Sequence, residues 1–275
     1  MAFLIGLSGG IYWALHNSNV QTYLINRLAN QLSDKLNTNL TIGKVSVSFF
    51  NKIVLQDVLL EDQETDTLFY VRKITANIDS LKYKKRQIDI NRLIFDDSKF
   101  KIDRDSSGEF NFKFITDAVN SDSDKAFDWK IICKNFDFFS SKSSFHDTFD
   151  SSNKNYFIHD IQIDISDFQF LSDSLSFELN HVAFNDNHNF NVTELQSDFT
   201  LKNKVISLAG LEMKTERSTI SESELTIELP GASQDSLQML RFDFNLNRSK
   251  ISFYDVSQIM PALKGMNQVV DLSGQ

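Results

Sequence analysis

Histidines are the first residues to test for chemistry, because an imidazole can act as a general acid, a general base or a metal ligand. The five histidines are His16, His146, His159, His181 and His188. A zinc site of the HExxH type needs two histidines four residues apart on one helix, and no pair here has that spacing. His159 and His181 lie in runs typical of strands, where a structural role is far commoner than metal ligation.

The single cysteine, Cys133, excludes an intramolecular disulfide and any zinc site built on several thiolates. It lies in the apolar run at residues 129–133. An apolar setting raises the cost of forming a thiolate, so we predict a buried structural thiol and not a reactive one.

The carboxylates give no catalytic pattern. Pairs such as Asp96-Asp97 and Glu61-Asp62 fall at turn positions, where they accept backbone hydrogen bonds in Asx turns. The sequence contains neither a GxSxG elbow nor a glycine-rich phosphate loop. A loose calcium-like spacing, without the glycine and terminal glutamate of a binding loop, is formed by Asp147, Asp150, Asn153 and Asn155. We therefore predict that the chain is not an enzyme and has no catalytic residue, metal site or cofactor.

The charge balance bears on the kind of partner. The chain has 28 basic and 37 acidic residues and a formal net charge of −9. Phosphate binding needs a positive footprint, so this balance argues against nucleic acid as the main partner.

The strongest pattern is the alternation of apolar and polar residues in short runs. It is clear at residues 45–49, 161–165, 225–229 and 242–246. Side chains in a strand point to opposite faces in turn, so each run gives one apolar face and one polar face. Phenylalanine is frequent at 25 residues and proline rare at 2, as suits long strand ladders. The chain is predicted to be mainly β, with an extended antiparallel sheet.

The apolar positions of these runs are candidates to line a groove, and the alternative for each is packing between two sheet layers. The candidates are Val45, Val47, Phe49, Ile74, Ile78, Phe136, Phe138, Ile161, Ile163, Ile165, Phe177, Leu179, Leu225, Ile227, Phe242 and Phe244.

Turn residues inside the pattern predict that several strands are short. Breaks are predicted between 86–95 and 99–104, between 129–139 and 142–147, and between 156–165 and 167–170. Slightly degenerate units of this kind favour a sheet that grows by adding strands along an axis. A closed sandwich would show fewer and more distinct strands, whereas a closed barrel is compatible with the periodicity alone.

The N-terminus carries an uncharged apolar run at residues 2–15, and the first basic residue is Arg27. A spanning helix needs about 20 apolar residues, and a signal peptide needs a preceding positive charge. We expect a membrane anchor at residues 1–16 whose upstream part precedes this sequence; a buried strand or helix of a soluble domain is the alternative. The anchor residues would be Phe3, Leu4, Ile5, Leu7, Ile11, Tyr12, Trp13 and Leu15.

An amphipathic helix follows at residues 17–38. Its apolar positions recur at four-residue spacing: Val20, Leu24, Leu28, Leu32 and Leu36. We interpret it as a cap on the open end of a sheet that occupies residues 39–275. Toward the end of the chain, a brief helix is predicted at 259–264 and a further strand from Val269.

Residues 20–79 also carry a family resemblance. The helix is followed by LTIGKVSV at 40–47, VLQDVLLED at 54–62 and DTLFYVRKI at 66–74. This succession resembles the beginning of the AsmA-like proteins, in particular the TamB branch (the translocation and assembly module). In that family a helix precedes an IGxVxxS strand, a strand ending in an acidic pair, and a DTL strand. Later segments similar to family repeats are Tyr254-Asp255-Val256 with Pro261, and Leu272-Ser273-Gly274.

The resemblance implies a definite architecture and function. Its members are held in the bacterial inner membrane by a single-pass anchor and extend into the periplasm. Their sheet curls into a long trough with an apolar interior, a β-groove or β-taco. They are associated with phospholipid transfer toward the outer membrane, and TamB with outer-membrane protein assembly beside an Omp85-type partner. Since members are much longer, the chain would be an N-terminal fragment whose groove continues beyond its end, and the partner-binding region would be missing.

The sequence therefore supports two hypotheses that assign the protein to different functional classes. The first is an anchored, elongated β-groove protein that binds phospholipid acyl chains or supports outer-membrane protein assembly. The second is a structural or adhesive sandwich or solenoid with a closed, dry core. They differ in what covers the apolar face of the sheet.

Overall fold

The computed structural model describes residues 26, 29, 30, 33, 34, 36–48, 51–115, 129–149, 154–171, 174–188, 190–228, 241–259, 263 and 265–274. Strands dominate these residues, as the alternation predicts. The strands are β1 Leu40–Ser48, β2 Lys52–Glu61, β3 Thr67–Lys82, β4 Gln87–Arg104, β5 Lys130–Asp147, β6 Lys154–Leu171, β7 Ser174–Asp186, β8 Val192–Lys202, β9 Val205–Thr215, β10 Thr219–Glu228, β11 Arg241–Ser252 and β12 Val269–Gly274.

The twelve strands form one sheet in chain order, from β1 at one edge to β12 at the other. The pairs from β1 to β3 and from β6 to β12 are antiparallel. Tight hairpins make this order possible: at the β8–β9 turn, Asn203 and Lys204 have φ angles of 51° and 64°, as a two-residue turn between twisted strands requires. The prediction of a largely antiparallel sheet built by successive strands is confirmed.

One pair departs from the antiparallel prediction. The N–H of Lys130 donates to the carbonyl of Arg86 at 2.7 Å, and the N–H of Thr148 donates to that of Arg104 at 2.9 Å. The two bonds lie at opposite ends of β4 and β5, so these strands run in the same direction. Parallel strands cannot be joined by a tight hairpin, and residues 105–129 form the long connection that they need.

Seven strand residues have left-handed backbone angles, and their strands continue through them. They are Asp57 (φ 53°), Asp97 (57°), Ser140 (52°), Asp160 (54°), Asp167 (51°), Gly210 (59°) and Glu222 (42°). The predicted breaks in β4, β5 and β6 are therefore wrong. Aspartate tolerates this conformation better than most residues do, and one such residue can bend a strand without ending its pairing.

The residue after the bend is buried at six of these seven positions: Val58, Ser98, Ser141, Ile161, Leu211 and Ser223. Bulged backbone leaves polar groups unpaired, and a buried serine can satisfy them. The hydroxyl of Ser223 does so by accepting the N–H of Asn247 at 3.2 Å and donating to the carbonyl of Ser221 at 3.0 Å. A buried serine thus follows the bend at three of these positions, and a buried aliphatic residue follows it at the other three.

The chain divides into two compact units. Unit 1 comprises residues 1–81, 90–127 and 138–157, and unit 2 comprises residues 82–89, 128–137 and 158–275. Strands β4, β5 and β6 each contribute residues to both units.

In unit 1, six described residues of the amphipathic segment are helical: Asn26, Ala29, Asn30, Ser33, Asp34 and Leu36. The end of the helix is tied to β1, because the Ser33 hydroxyl accepts the N–H of Leu40 at 2.8 Å. It is also tied to the end of β2, where the Thr38 hydroxyl donates to the carbonyl of Glu61 at 2.6 Å. The helix ends before Asn37, which has φ 50°, so it is shorter than the predicted 17–38 at this end. The other positions of the predicted helix, and the whole anchor predicted at 1–16, lie outside the described residues.

The membrane-anchor prediction is not tested by the described helices. Among the residues that the structure describes, no helix has both the length and the apolar character that a bilayer crossing requires.

Asp62 shows what the acidic pair at the end of β2 does. This buried carboxylate accepts the N–H groups of Glu64 at 3.0 Å and Asp66 at 2.9 Å, which shapes the β2–β3 turn. The same arrangement of i+2 and i+4 donors recurs at Asp105 and Asp186. The interpretation of Glu61-Asp62 as a turn pair is confirmed for Asp62.

Ile259 and Leu263 are the described residues of the helix predicted at 259–264, and both are helical. Ile259 ends a helix, Phe253–Ile259, whose start the sequence pattern did not predict. Its position is fixed by Asp255, a buried residue in its first turn. This carboxylate accepts hydrogen bonds from the hydroxyls of Thr215 at 2.6 Å and Ser218 at 2.5 Å. A tertiary contact with the β9–β10 turn therefore decides where the helix starts. The strand predicted from Val269 is confirmed as β12.

The bend at Ser140 can be tested by substitution. Valine favours regular strands but is strained at positive φ, so Ser140→Val should lower the free energy of unfolding by about 1–2 kcal/mol. Ser140→Gly should be close to neutral, because glycine adopts this conformation freely. Lys142→Val, an exposed site on the same strand, is the control and should change stability by less than about 0.5 kcal/mol. Urea titrations in which Ser140→Val matches Lys142→Val would show that β5 is not bent there.

Candidate functional site

The candidate site is an apolar face in unit 2, and its first row of side chains crosses the sheet from β5 to β11. Row one consists of Phe136, Phe168, Phe177, Phe199, Leu208, Leu225 and Phe244. From β7 to β11 each member is the direct cross-strand partner of the next. Ring contacts extend the row toward β5: the Phe168 ring lies 6.3 Å from that of Phe177 and 5.9 Å from that of Phe136. Direct partners share a face of the sheet, so row one is continuous.

A second row runs beside the first, two residues away on the neighbouring strands. Row two consists of Phe170, Leu175, Leu201, Ile206, Ile227 and Phe242, each paired with the next from β6 to β11. Positions two apart in a strand point to the same side, so both rows belong to one face. Phe242 belongs to row two by its backbone register, and its side chain lies outside the described residues.

The opposite face is polar along the same strands. Between the two apolar rows, the registers of β7 to β11 align Ser176, Thr200, Ser207, Thr226 and Asp243. Hydroxyl and carboxylate side chains suit a face in contact with water. The division into one apolar and one polar face, predicted from the alternation, is confirmed in unit 2.

The apolar rows are neither sealed nor fully open. All members of rows one and two with described side chains are half-buried. In contrast, hydrophobic residues with almost no exposure are few in the described part of unit 2: Cys133, Ile161, Ile165, Val192 and Leu211. Side chains enclosed between two protein layers normally lose nearly all contact with solvent. Side chains covered only by their neighbours within one sheet stay partly exposed, as the members of both rows are.

The rows present an extended surface. Strands lie about 4.8 Å apart, so row one from β5 to β11 extends about 29 Å along the sheet. At its centre the rings of Phe177 and Phe199 are stacked, with centroids 4.5 Å apart and planes 7° from parallel. Row one is therefore a continuous apolar strip of aromatic and aliphatic side chains without a polar group.

Unit 1 has apolar contacts of its own. Val45 pairs with Leu55, which in turn pairs with Ile74. The rings of four phenylalanines from β3, β4 and β5 form a cluster with centroid distances of 4.9–6.1 Å: Phe69, Phe95, Phe100 and Phe138. Both groups are built from side chains of neighbouring strands, as the rows of unit 2 are.

The predicted lining residues divide into three groups. Val45, Ile161 and Ile165 are buried. The half-buried ones are Val47, Ile74, Ile78, Phe136, Phe138, Ile163, Phe177, Leu179, Leu225, Ile227 and Phe244. Phe49, and the side chain of Phe242, lie outside the described residues.

Sequence reasoning missed several members of the rows. Phe168, Phe199 and Leu208 belong to row one, and Phe170, Leu175, Leu201 and Ile206 to row two. All but the β6 pair lie in runs that alternate regularly, so the period-two signal was present for them. The pair on β6 was hidden by the bend at Asp167, which shifts the register between β6 and β7.

Unit 1 also contains a polar cavity of about 810 Å³, and each of its three basic side chains, Lys101, Arg104 and Lys113, contacts a carboxylate. Lys101 contacts Asp66 at 2.8 Å and Asp103 at 3.2 Å, and the hydrogen bond to Asp66 raises the pKa of Lys101 above its usual value. Bonds from the hydroxyl and N–H of Ser107 lower the pKa of Asp105. These contacts hold the β2–β3 turn and the end of β4 in place, so we assign the cavity a structural role.

The other candidates for catalysis or metal binding contact residues that are close to them in the sequence. Cys133 is buried, with its sulfur 3.1 Å from the carbonyl of Asn135, which confirms the predicted structural thiol. The imidazole of His159 contacts the neighbouring Asp160 at 2.6 Å. In the calcium-like spacing, Asp147 accepts the N–H of Phe149, while residues 150 and 153 lie outside the described ranges. No group of three potential metal ligands occurs among the described residues.

No protein-family model matches the chain, and no curated protein matches it. The resemblance of residues 20–79 to the AsmA-like proteins therefore stays a prediction.

The free energy of unfolding that is lost when the Phe199 side chain is removed distinguishes an open face from a sealed one. For a half-buried ring stacked on Phe177, Phe199→Ala should lower the free energy of unfolding by about 2 kcal/mol. A sealed core would lose about 3–5 kcal/mol at the same position. Thr200→Ala, the next residue on the polar face, is the control and should cost less than about 0.5 kcal/mol. Chemical denaturation of the three proteins gives the comparison, and a loss in the higher range would contradict the open face.

Proposed function

We propose that this protein is a bacterial periplasmic β-groove protein, held in the inner membrane by a single-pass anchor, that supports outer-membrane biogenesis. In this proposal the apolar face of the sheet binds phospholipid acyl chains during transfer between the membranes, or supports the assembly of outer-membrane proteins. An Omp85-type outer-membrane partner would be reached through a C-terminal region beyond this sequence. The proposal involves no catalytic residue, metal, cofactor or nucleic acid.

The observation that carries the proposal is the continuity of the two apolar rows together with their partial exposure. Apolar surfaces larger than a few hundred Å² are uncommon on soluble proteins and mark binding sites. An acyl chain laid on such rows gains about 0.8 kcal/mol for each CH₂ removed from water. A strip without polar groups also sets no requirement for hydrogen-bond geometry, so it can accept flexible chains in many positions.

The polar face and the acidic charge are compatible with this role. Ser176, Thr200 and Ser207 form a hydrophilic outer surface on the strands whose other side carries the rows. The net charge of −9 favours solubility in an aqueous compartment. The anchor residues at 1–16 and the family resemblance support the membrane location, and both are inferences from the sequence.

The competing function is that of a structural or adhesive protein with a dry core. It requires a second protein layer that closes over rows one and two. Half-buried side chains in both rows favour the first proposal over this one. The two differ in whether lipid reaches the row residues.

Site-specific photocrosslinking tests the proposal in cells. A photoreactive amino acid at Phe177 should crosslink phospholipid, and one at Ser176, its neighbour on the polar face, should not. Mass spectrometry of the crosslinked chain identifies the lipid. Absence of a lipid adduct at Phe177, or equal adducts at both positions, would contradict acyl-chain binding by the rows.

A matched pair of charge substitutions tests the same face by loss of binding. Leu208→Asp places a carboxylate in row one, where burying it beneath an acyl chain is costly, so lipid recovered with the purified full-length protein should fall at least about tenfold. Ser207→Asp adds the same charge to the polar face and should leave recovery unchanged. Circular dichroism establishes that both variants are folded. Equal lipid recovery from the two variants would exclude row one as the binding surface.

A further inference from the structure

The turn between β3 and β4 concentrates positive charge on an acidic protein. Lys82, Lys84, Lys85 and Arg86 are all exposed, and only Tyr83 interrupts them. The turn is compact: residues Tyr83–Lys85 form a single 3-10 turn, closed by Arg86 at φ 47° with its N–H bonded to the carbonyl of Tyr83 at 3.1 Å. The backbone therefore fixes where the charges lie.

Most of this positive charge lies at the tip of the β3–β4 turn. Asp79 and Asp89 flank the turn in the sequence, and Asp89 contacts Lys82 at 2.5 Å, at the base of the turn. Lys84 and Lys85 lie on the turn itself. The adjacent strand adds another basic residue, because the N–H of Lys130 is bonded to the carbonyl of Arg86 at 2.7 Å. The chain as a whole has a net charge of −9, so this local excess runs against its composition.

The same tip carries aromatic side chains. Tyr83 is 78% exposed, an unusual position for a large ring on a protein surface. Its ring meets Trp129 edge-on with centroids 6.0 Å apart. Tyrosine and tryptophan are enriched where a protein meets the headgroup layer of a bilayer, because one end of each ring is apolar and the other polar.

We propose that this basic tip, defined as residues 82–86 with Trp129 and Lys130, docks on the anionic surface of a lipid bilayer. Lysines near such a surface are attracted to anionic headgroups, and Tyr83 enters the headgroup layer beside them. Nucleic acid is a poorer fit, because its binding relies on an extended footprint of phosphate contacts and the tip is a single turn. The proposal does not depend on lipid binding by rows one and two.

Vesicle flotation with the full-length protein tests the proposal. The probes are phosphatidylcholine vesicles and vesicles that also contain phosphatidylglycerol. The uncharged apolar run at 2–15 would bind both kinds alike, and the net charge of −9 would disfavour the anionic kind. The proposal therefore predicts a preference for anionic vesicles that decreases as salt is raised.

Substitutions test whether the basic tip causes the preference for anionic vesicles. Lys84→Gln with Lys85→Gln should weaken binding to anionic vesicles about 25-fold, since each lysine near the surface contributes about fivefold. The control is Lys202→Gln with Lys204→Gln at the exposed β8–β9 turn, which should bind like the unchanged protein. Tyr83→Ala should weaken binding less than the lysine pair does and should not alter its salt dependence.

Three results would overturn the proposal: no preference for anionic vesicles, a preference that survives in the Lys84 and Lys85 variant, or an equal loss in the control. Binding to a single-stranded oligonucleotide that is lost in that variant, without vesicle binding, would assign the tip to nucleic acid instead. Lipid crosslinking at Phe177 should persist in the variant, so failure of the tip is distinguishable from failure of the apolar rows.

Discussion

Cross-strand register is the constraint on which the apolar face depends. Side chains in a strand alternate between faces, so a slip of one residue between β7 and β8 would place Thr200 opposite Phe177 and turn Phe199 to the polar side. Because rows one and two both continue as far as β11, the slip would interrupt both rows and also bring polar residues among apolar ones. The hydrophobic contacts that could hold an acyl chain are thus the same contacts that fix the pairing of the strands. A substitution in either row therefore changes the stability of the sheet as well as the binding surface.

The strands of this long sheet bend at the residues with left-handed backbone angles, and their pairing continues on either side of each bend. At Asp57 the pairs of β2 with β3 continue on either side, with Val58 opposite Val71 and Gln56 opposite Lys73. At Glu222 the register with β9 shifts, and the buried Ser223 lies opposite Leu211. Buried serines supply hydrogen bonds at such places without the volume of a larger side chain. The bends therefore reorient the strands while the alternation resumes beyond them.

The alternation of apolar and polar residues was the structural feature that could be predicted from the sequence. It predicted the strands, their order by addition and the two unlike faces, and residues such as Phe177, Leu225 and Phe244 were found from it. The breaks at Asp97, Ser140 and Asp167 were misjudged, because a short polar residue can serve a hairpin turn or a mid-strand bend and only tertiary pairing decides between them. The parallel pairing of β4 and β5 depends on a long connection whose path no local pattern records. The start of the helix at Phe253–Ile259 depends on bonds between Asp255 and residues some 40 positions away, as in its 2.6 Å contact with Thr215.

We propose that acyl chains lie against rows one and two and not against the polar side of the same strands. Adjacent residues in β10 give the most direct test, since Leu225 belongs to row one and Thr226 to the opposite face. The measurement is the broadening of their methyl NMR signals by a phospholipid that carries a nitroxide in its acyl chain. If acyl chains lie on the rows, we expect strong broadening at Leu225 and little at Thr226. Equal broadening of both signals, or none at Leu225 when the lipid is present in excess, would contradict it.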